Sequence, residues 1–241
     1  MSGAPRLTSG LVATLGFLAA VGPFATDMYL ASFTEIAADL GSSASAVQLT
    51  LTAFLLGIGA GQLLLGPLSD RFGRRPVMVL SMGVFALSSV LMVFTPTIEV
   101  FVALRLVQGV AGAAGIVVAR AIAVDLSEGE TAVRALSLIA TVTALGPLVA
   151  PPIGGAVGVL TDWRGVLIVL AAISAAMFLL AVLVAPESLP PDRRHGGGVR
   201  AIARMLGTVA STRGFGAYTL TVAAAFAGMM AYISASPFVG Q

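Results

Sequence analysis

Seven long apolar runs, separated by short polar breaks, dominate this chain. They cover about residues 8–33, 44–66, 76–95, 98–121, 133–157, 164–185 and 213–236. A helix needs about 20 mostly apolar residues to cross the hydrocarbon core of a bilayer, and each run reaches that length. The chain is therefore expected to be an all-α membrane protein. Only 10% of its residues are charged and 58% are hydrophobic, against roughly 25% charged in a soluble domain. The first run follows Arg6 like a signal peptide, but no small-residue cleavage site follows it. Asp27-Met28-Tyr29 continues the segment instead, so it reads as a retained first helix.

Arginine sets the orientation. All 13 basic residues are arginine. With the N-terminus inside, the cytoplasmic side receives Arg6, Arg71, Arg74, Arg75, Arg134, Arg193, Arg194, Arg200, Arg204 and Arg213, and the outer side only Arg164. Arg105 and Arg120 fall within a span. This asymmetry predicts a cytoplasmic N-terminus. The arginines are scattered over short loops rather than gathered on one face, which excludes a nucleic-acid partner. There is no cysteine, and hence no disulfide and no thiolate metal site. No His/Cys/Asp metal cluster, nucleophile–base pair or phosphate loop is present. The chain does not read as an enzyme, and no cofactor is expected.

Residues 1–185 are expected to form a six-helix bundle, 186–212 a cytoplasmic linker and 213–241 one further helix. Pro186, Pro190 and Pro191 stop the sixth span, and Arg193-Arg194-His195-Gly196-Gly197-Gly198 forms a basic turn. His195 is the only histidine and has no second ligand nearby, so it reads as a solvated loop residue. Arg200 and Arg204 lie among apolar residues over Val199–Leu206, as in a short interfacial helix.

Between the second and third runs stands Gly66-Pro67-Leu68-Ser69-Asp70-Arg71-Phe72-Gly73-Arg74-Arg75. It reads as a tight charged hairpin, with Gly66 and Gly73 supplying backbone freedom. The stretch resembles the loop between helices two and three of the major facilitator superfamily of secondary transporters, pattern G-x-L-x-D-R-x-G-R-[RK]. The resemblance implies a gating loop of Gly66, Asp70, Arg71, Gly73, Arg74 and Arg75. It further implies that Asp70 contacts the C-terminal half of the transporter, a partner this chain lacks.

Ionisable groups within a bilayer are costly, so each is a functional candidate. Asp27 is the one carboxylate placed inside a span. Thr26-Asp27-Met28-Tyr29-Leu30-Ala31 resembles the helix-one motif of the Bcr/CflA drug-resistance branch, which has proline in place of Ala31. Arg105 opens Arg105-Leu106-Val107-Gln108-Gly109, similar to the superfamily's helix-four motif R-x-x-Q-G. Asp27 lies about six residues before the outer end of its span and Arg105 about seven after the outer start of its own, which puts them at similar depth at 1.5 Å per residue. Arg105 is thus the expected counter-charge of Asp27, with Gln108 one turn along to orient either group. Gly109, Gly112 and Gly115 thin the fourth span for a close neighbour. Arg120 is expected to snorkel to the headgroups or to pair with Asp125.

The fifth span contains Gly146-Pro147-Leu148-Val149-Ala150-Pro151-Pro152-Ile153-Gly154-Gly155. It resembles the antiporter motif G-P-x-x-G-G, with Ala150 in place of one glycine. Pro147, Pro151 and Pro152 each remove a backbone donor, so a bend is expected, and Gly154-Gly155 allows tight packing beyond it. The last run ends Tyr232-Ile233-Ser234-Ala235-Ser236-Pro237-Phe238-Val239, also similar to the Bcr/CflA branch.

The resemblance covers the chain from Asp27 to Gln241. It implies the N-terminal half of a drug:proton antiporter, with a missing C-terminal half; members have twelve spans, and this chain is expected to be a fragment of such a transporter. Its partners would be a small drug-like molecule, protons and membrane lipid. Phe24, Met28, Tyr29 and Gln108 are the candidate walls of the substrate cavity. Two other readings compete: a facilitator for a polar metabolite, and a non-transporting truncated membrane protein. The chain shows no cluster of Asn, Gln and charged residues suited to a polyhydroxyl substrate.

Overall fold

In the computed structural model, residues 7–194, 207, 208, 211, 212 and 214–239 are described. His195 and the Val199–Leu206 stretch lie outside them. The chain divides into two compact units, Met1–Arg194 and His195–Gln241.

The first unit contains six apolar stretches long enough to cross a membrane. The first is not one helix but three: α1 (Ser9–Ala19), α2 (Val21–Asp27) and, after a 3₁₀ turn at Leu30–Ser32, α3 (Phe33–Asp39). Pro23 explains the first interruption, since its ring excludes the hydrogen bond to the carbonyl four residues back, at Ala19, where α1 ends. The stretch also runs on to Asp39, because Phe33 and Ile36 bury one face of α3.

Five long helices follow: α4 (Ala44–Phe72), α5 (Arg74–Val93), α6 (Ile98–Asp125), α7 (Gly129–Leu160) and α8 (Trp163–Val184). Side chains close several exposed N-termini, whose first N–H groups lack partners within the helix. Thr8 accepts from Leu11 N, Ser43 from Ala46 N and Asp162 from Gly165 N. Pro186, two residues beyond α8, stands where the sequence placed its stop.

The charged stretch 66–75 is not a hairpin loop. α4 continues through Gly66 and Asp70 to Phe72, α5 starts at Arg74, and Gly73 alone separates them. Gly73 has φ +102°, a backbone that side chains resist. Gly66 is an ordinary helical residue with only Val117 near its Cα hydrogens.

α4 and α6 make the most intimate helix pair, and glycine is the reason. A Cβ on Gly57 would strike the Leu106 carbonyl, one on Gly61 the Val110 carbonyl, and one on Gly109 the Phe54 carbonyl. Gly115 packs likewise against the Leu18 carbonyl of α1, while Gly112 faces the Phe85 ring. Close backbone approach of this kind is how helices associate where water exclusion supplies no drive. α5 packs against α6 and α8, and α1 and α2 lie along α7. Leu15, Leu18, Met78, Phe85, Val118 and Met177 fill the shared core.

The second unit contains α9 (Phe215–Val239), with its described apolar side chains Tyr218, Leu220, Val222 and Phe226 exposed.

Candidate functional site

The unit Met1–Arg194 carries polar groups at three levels. Its middle level is built on Arg105, which is 0% exposed. A buried cation is costly unless its donors are used. Arg105 Nη2 donates to the Ala25 carbonyl of α2 at 2.6 Å, and Nη1 to Gln108 Oε1 at 2.7 Å. Its Nε has no partner among the described residues. The guanidinium also lies 4.2 Å from the Tyr29 ring centre and 4.7 Å from that of Phe54, and such faces attract a desolvated cation. From Gln108 the polar chain goes on: its Nε2 donates to Ser89 Oγ at 2.8 Å, and Ser89 meets Ser174 Oγ at 3.0 Å. Helices α2, α6, α5 and α8 are thus joined through side chains in an apolar interior. The Tyr29 hydroxyl meets Thr50 Oγ1 of α4 at 2.9 Å.

Asp27 closes α2 beside this chain. It is half-buried and accepts from the Thr26 hydroxyl at 2.7 Å. Arg105, the expected counter-charge of Asp27, makes no ion pair with it among the described residues. It holds the backbone two residues earlier instead. The break after Asp27 turns the chain away from a regular helix, and a carbonyl rather than the carboxylate meets the guanidinium.

The cavity residues need a similar correction. Met28, Tyr29 and Gln108 are fully buried between helices of the unit. Of the four candidates only Phe24 retains surface; it packs edge-on against Phe17 at 5.9 Å. Tyr29 and Gln108 are occupied in supporting Arg105, which no exposure pattern in the sequence could show.

At one end of the unit Arg74 gathers a knot of charges. Its guanidinium binds Asp70, Asp125 Oδ2 at 2.9 Å and Ser69 Oγ at 2.7 Å. Its backbone N–H, unpartnered within α5, donates to Glu187 Oε1 at 2.9 Å. Glu187 thereby places a carboxylate at a helix N-terminus, where the helix dipole favours it. Ser188 donates to Asp125 at 2.8 Å, and Arg194 lies 3.4 Å from Glu187. A Cβ on Gly73 would collide with the Glu187 carboxylate, a second reason for glycine there. Asp70, whose expected partner is in the C-terminal half, pairs locally with Arg74. Asp125 is taken by Arg74 and Ser188, not by Arg120, which is exposed. Arg75 donates to the Val182 carbonyl of α8 at 2.9 Å, and Arg71 lies over Phe72.

At the opposite end Asp39 of α3 clasps the start of α8. It accepts from Trp163 Nε1 at 3.1 Å and from Arg164. Trp163, Phe101 and Tyr29 form an aromatic stack, 6.1 and 6.2 Å between ring centres, that reaches from this clasp down to Arg105.

α7 runs unbroken through Pro147, Pro151 and Pro152, so the three prolines do not interrupt it. They lie on its exposed side, while Gly146, Ala150 and Gly154 form its buried stripe.

The family model described as Major Facilitator Superfamily matches residues 15–241. The chain belongs to the major facilitator superfamily. It is 42% identical over 229 residues to the uncharacterized MFS-type transporter YdgK of Bacillus subtilis, covering 94% of this chain and 57% of that protein. It is 35% identical to a bicyclomycin resistance protein homolog of Haemophilus influenzae, over 95% of this chain and 57% of that one. Multidrug resistance protein D of Escherichia coli is 32% identical, over 94% and 56%. The chain spans little more than half the length of these relatives. Among solved structures, the proton:xylose symporter XylE superposes with a TM-score of 0.64 at 20% identity, over 74% of this chain and 44% of that one. The human organic anion transporter MFSD10 gives 0.60 at 21%, over 80% and 51%. These two show the fold, that of the superfamily's N-terminal six-helix bundle; the family and the six apolar stretches make the chain a multi-pass membrane protein.

Sequence reasoning missed several members of these polar clusters. Glu187 and Ser188 joined the knot from beyond the sixth span, where only their charge and hydroxyl were legible. Ser89 and Ser174 looked like ordinary small residues within spans. Gly57 and Gly61 carried a readable signal, the small-xxx-small spacing of close helix pairs.

Proposed function

We propose that this chain is the N-terminal half of a proton-coupled antiporter that expels small amphipathic compounds across a bacterial inner membrane. The observation that carries the reading is a half-buried Asp27 two residues from the Ala25 carbonyl held by a buried Arg105, an arginine that has no carboxylate partner among the described residues. A half-buried carboxylate two residues from the carbonyl that holds a buried cation is a site where gain and loss of a proton changes local charge. The relatives named for bicyclomycin and multidrug resistance supply the substrate class. Residues 1–185 would form the six-helix bundle, 186–212 the linker, and 213–241 the first helix of a second bundle. The cavity would lie between this bundle and the second bundle of a full-length transporter, with Phe24 on its wall. Gly66, Asp70, Arg71, Gly73, Arg74 and Arg75 would form the gate, and Gly146 to Gly155 the antiporter motif.

Transport in a full-length version tests this. In proteoliposomes, an imposed pH gradient should drive uptake of a lipophilic cation such as ethidium against its concentration, and collapse of the gradient by a protonophore should stop it. Uptake indifferent to the gradient would favour the facilitator reading.

Orientation can be checked in the 241-residue chain, which has no native cysteine. The arginine-rich end around Arg74 should face the cytoplasm, because arginine is retained there. Cysteine in place of Ser45, exposed at the Asp39 end, should react with an impermeant maleimide in intact cells. Cysteine in place of Glu130, exposed at the start of α7, should react only after permeabilisation. The reverse pattern would invert the topology.

A further inference from the structure

We infer that Gly146 and Gly154 of α7 are positioning residues for Asp27, acting through the backbone of the broken first span. The inference rests on the coupling role proposed above for Asp27. Two contacts bracket that residue. Pro23, four residues before it, lies where a side chain on Gly146 would be: a Cβ there would sit 2.5 Å from Pro23 Cβ and 2.7 Å from its Cγ. Met28, one residue after it, does the same at Gly154. A Cβ at Gly154 would overlap the Met28 carbonyl and lie 2.8 Å from its Cα. Ala150 is fully buried between the two.

The second contact is the more telling. It is made by backbone atoms, so no rotamer change can relieve a collision there. Met28 is also the residue at which α2 ends and the chain turns toward Leu30–Ser32. Any side chain at 154 must therefore push α7 away or shift the break itself, and Asp27 is covalently attached to that break. The neighbouring glycine of the same motif gives the contrast: a Cβ on Gly155 would meet nothing within 4 Å.

No charged group of α7 competes for this role. The titratable groups on the helices packed against α2 are few. Arg105 faces it from α6, where Glu99, Arg120 and Asp125 lie elsewhere along the helix. Glu130 and Arg134 pair with each other in the first turns of α7. Arg164 at the start of α8 binds Asp39, and α1 carries none. On this level α7 presents only its small-residue stripe to α2. It acts by shape.

The test is an infrared titration of the 241-residue chain in phospholipid nanodiscs, with the Asp27 carboxyl band assigned by its loss in Asp27→Asn. Gly154→Ala should displace the midpoint of that band by at least about half a pH unit, because the surroundings of a carboxyl set its proton affinity. Gly155→Ala should leave the midpoint in place. Gly146→Ala should displace it too, because its Cβ would strike Pro23, and this second variant keeps the test sound should Gly154→Ala fail to fold. Equal midpoints in the parent and both single alanine variants, or equal displacement by Gly154→Ala and Gly155→Ala, would overturn the positioning role while leaving Asp27 as the coupling group. A parent with no titrating Asp27 band would instead overturn the coupling reading, and the positioning role with it.

Discussion

Asp27→Asn, in a full-length transporter carrying this segment, is expected to reduce proton-driven efflux to the level of empty vesicles while the protein still inserts. Asparagine has nearly the shape of aspartate and can still accept from Thr26, which holds Asp27 at 2.7 Å. It cannot gain or lose a proton in the working range. The geometry of the break after α2 should therefore survive while its charge is fixed at zero. Binding of an uncharged substrate should persist and lose its pH dependence. The deciding measurement is drug-induced proton release from detergent-solubilised protein. Should the variant release protons as the parent does, Asp27 is not the coupling residue and another group must be sought. Arg105 gives the experiment a second edge. Its Nε is unpartnered among the described residues and its other donors rest on the Ala25 carbonyl and Gln108. Competition between proton and drug for one carboxylate is the least machinery an antiporter needs.

The second large effect is expected at Arg74. Its side chain is 10% exposed and joins Asp70 and Asp125, whose own side chains are 49% and 20% exposed. Arg74→Gln would leave two carboxylates close together with no counter-charge. Removal of one member of a buried ionic group costs roughly 3 kcal/mol or more, and solvent at Asp70 softens its share. The melting temperature of the 241-residue chain in detergent should fall by about 5–10 °C. Arg74→Lys should fall in between, because an ammonium lacks the planar fork that serves Asp125, Asp70 and Ser69 together. Circular dichroism against temperature decides it. A melting point for Arg74→Gln within a degree of the parent would mean that the knot contributes nothing to stability and that Glu187 at the start of α5 is sufficient alone.

Asp27 and Arg74 both stand out in the sequence by itself, and what is legible there has a common character. Long apolar runs report on helices because the bilayer leaves the backbone few other ways to satisfy itself. Asp27, Arg105 and the 66–75 stretch are conspicuous because charge is rare among such runs. Depth along a helix is also readable, and Arg105 meets the first span at the Ala25 carbonyl, two residues from Asp27. Azimuth is harder to read. Whether Tyr29 and Gln108 face a cavity or a neighbouring helix depends on how six helices are rotated, and near-uniform apolarity in lipid blurs the amphipathic signal that fixes rotation in water. Breaks depend on single residues: Pro23 ends α1, whereas Pro147, Pro151 and Pro152 are accommodated on the outer side of an unbroken α7. Residues such as Glu187 are invisible in the sequence because they act from more than a hundred positions away in the chain.

The lengths of the helices carry one more consequence. α4, α6 and α7 have 29, 28 and 32 residues, or about 42–48 Å, well beyond the roughly 30 Å of a hydrocarbon core. α5 has 20 residues and opens with Arg74 and Arg75, so it has no spare length. Longer acyl chains can be met by the other three with helix already in place. α5 can meet them only by standing more upright or by drawing its arginines toward the oil. Hydrophobic mismatch thus falls on the two short helices, α5 and the 22-residue α8, and on α5 it reaches the residue that ties Asp70, Asp125 and Glu187 together. Acyl-chain length becomes a load on that tie, felt through Gly73.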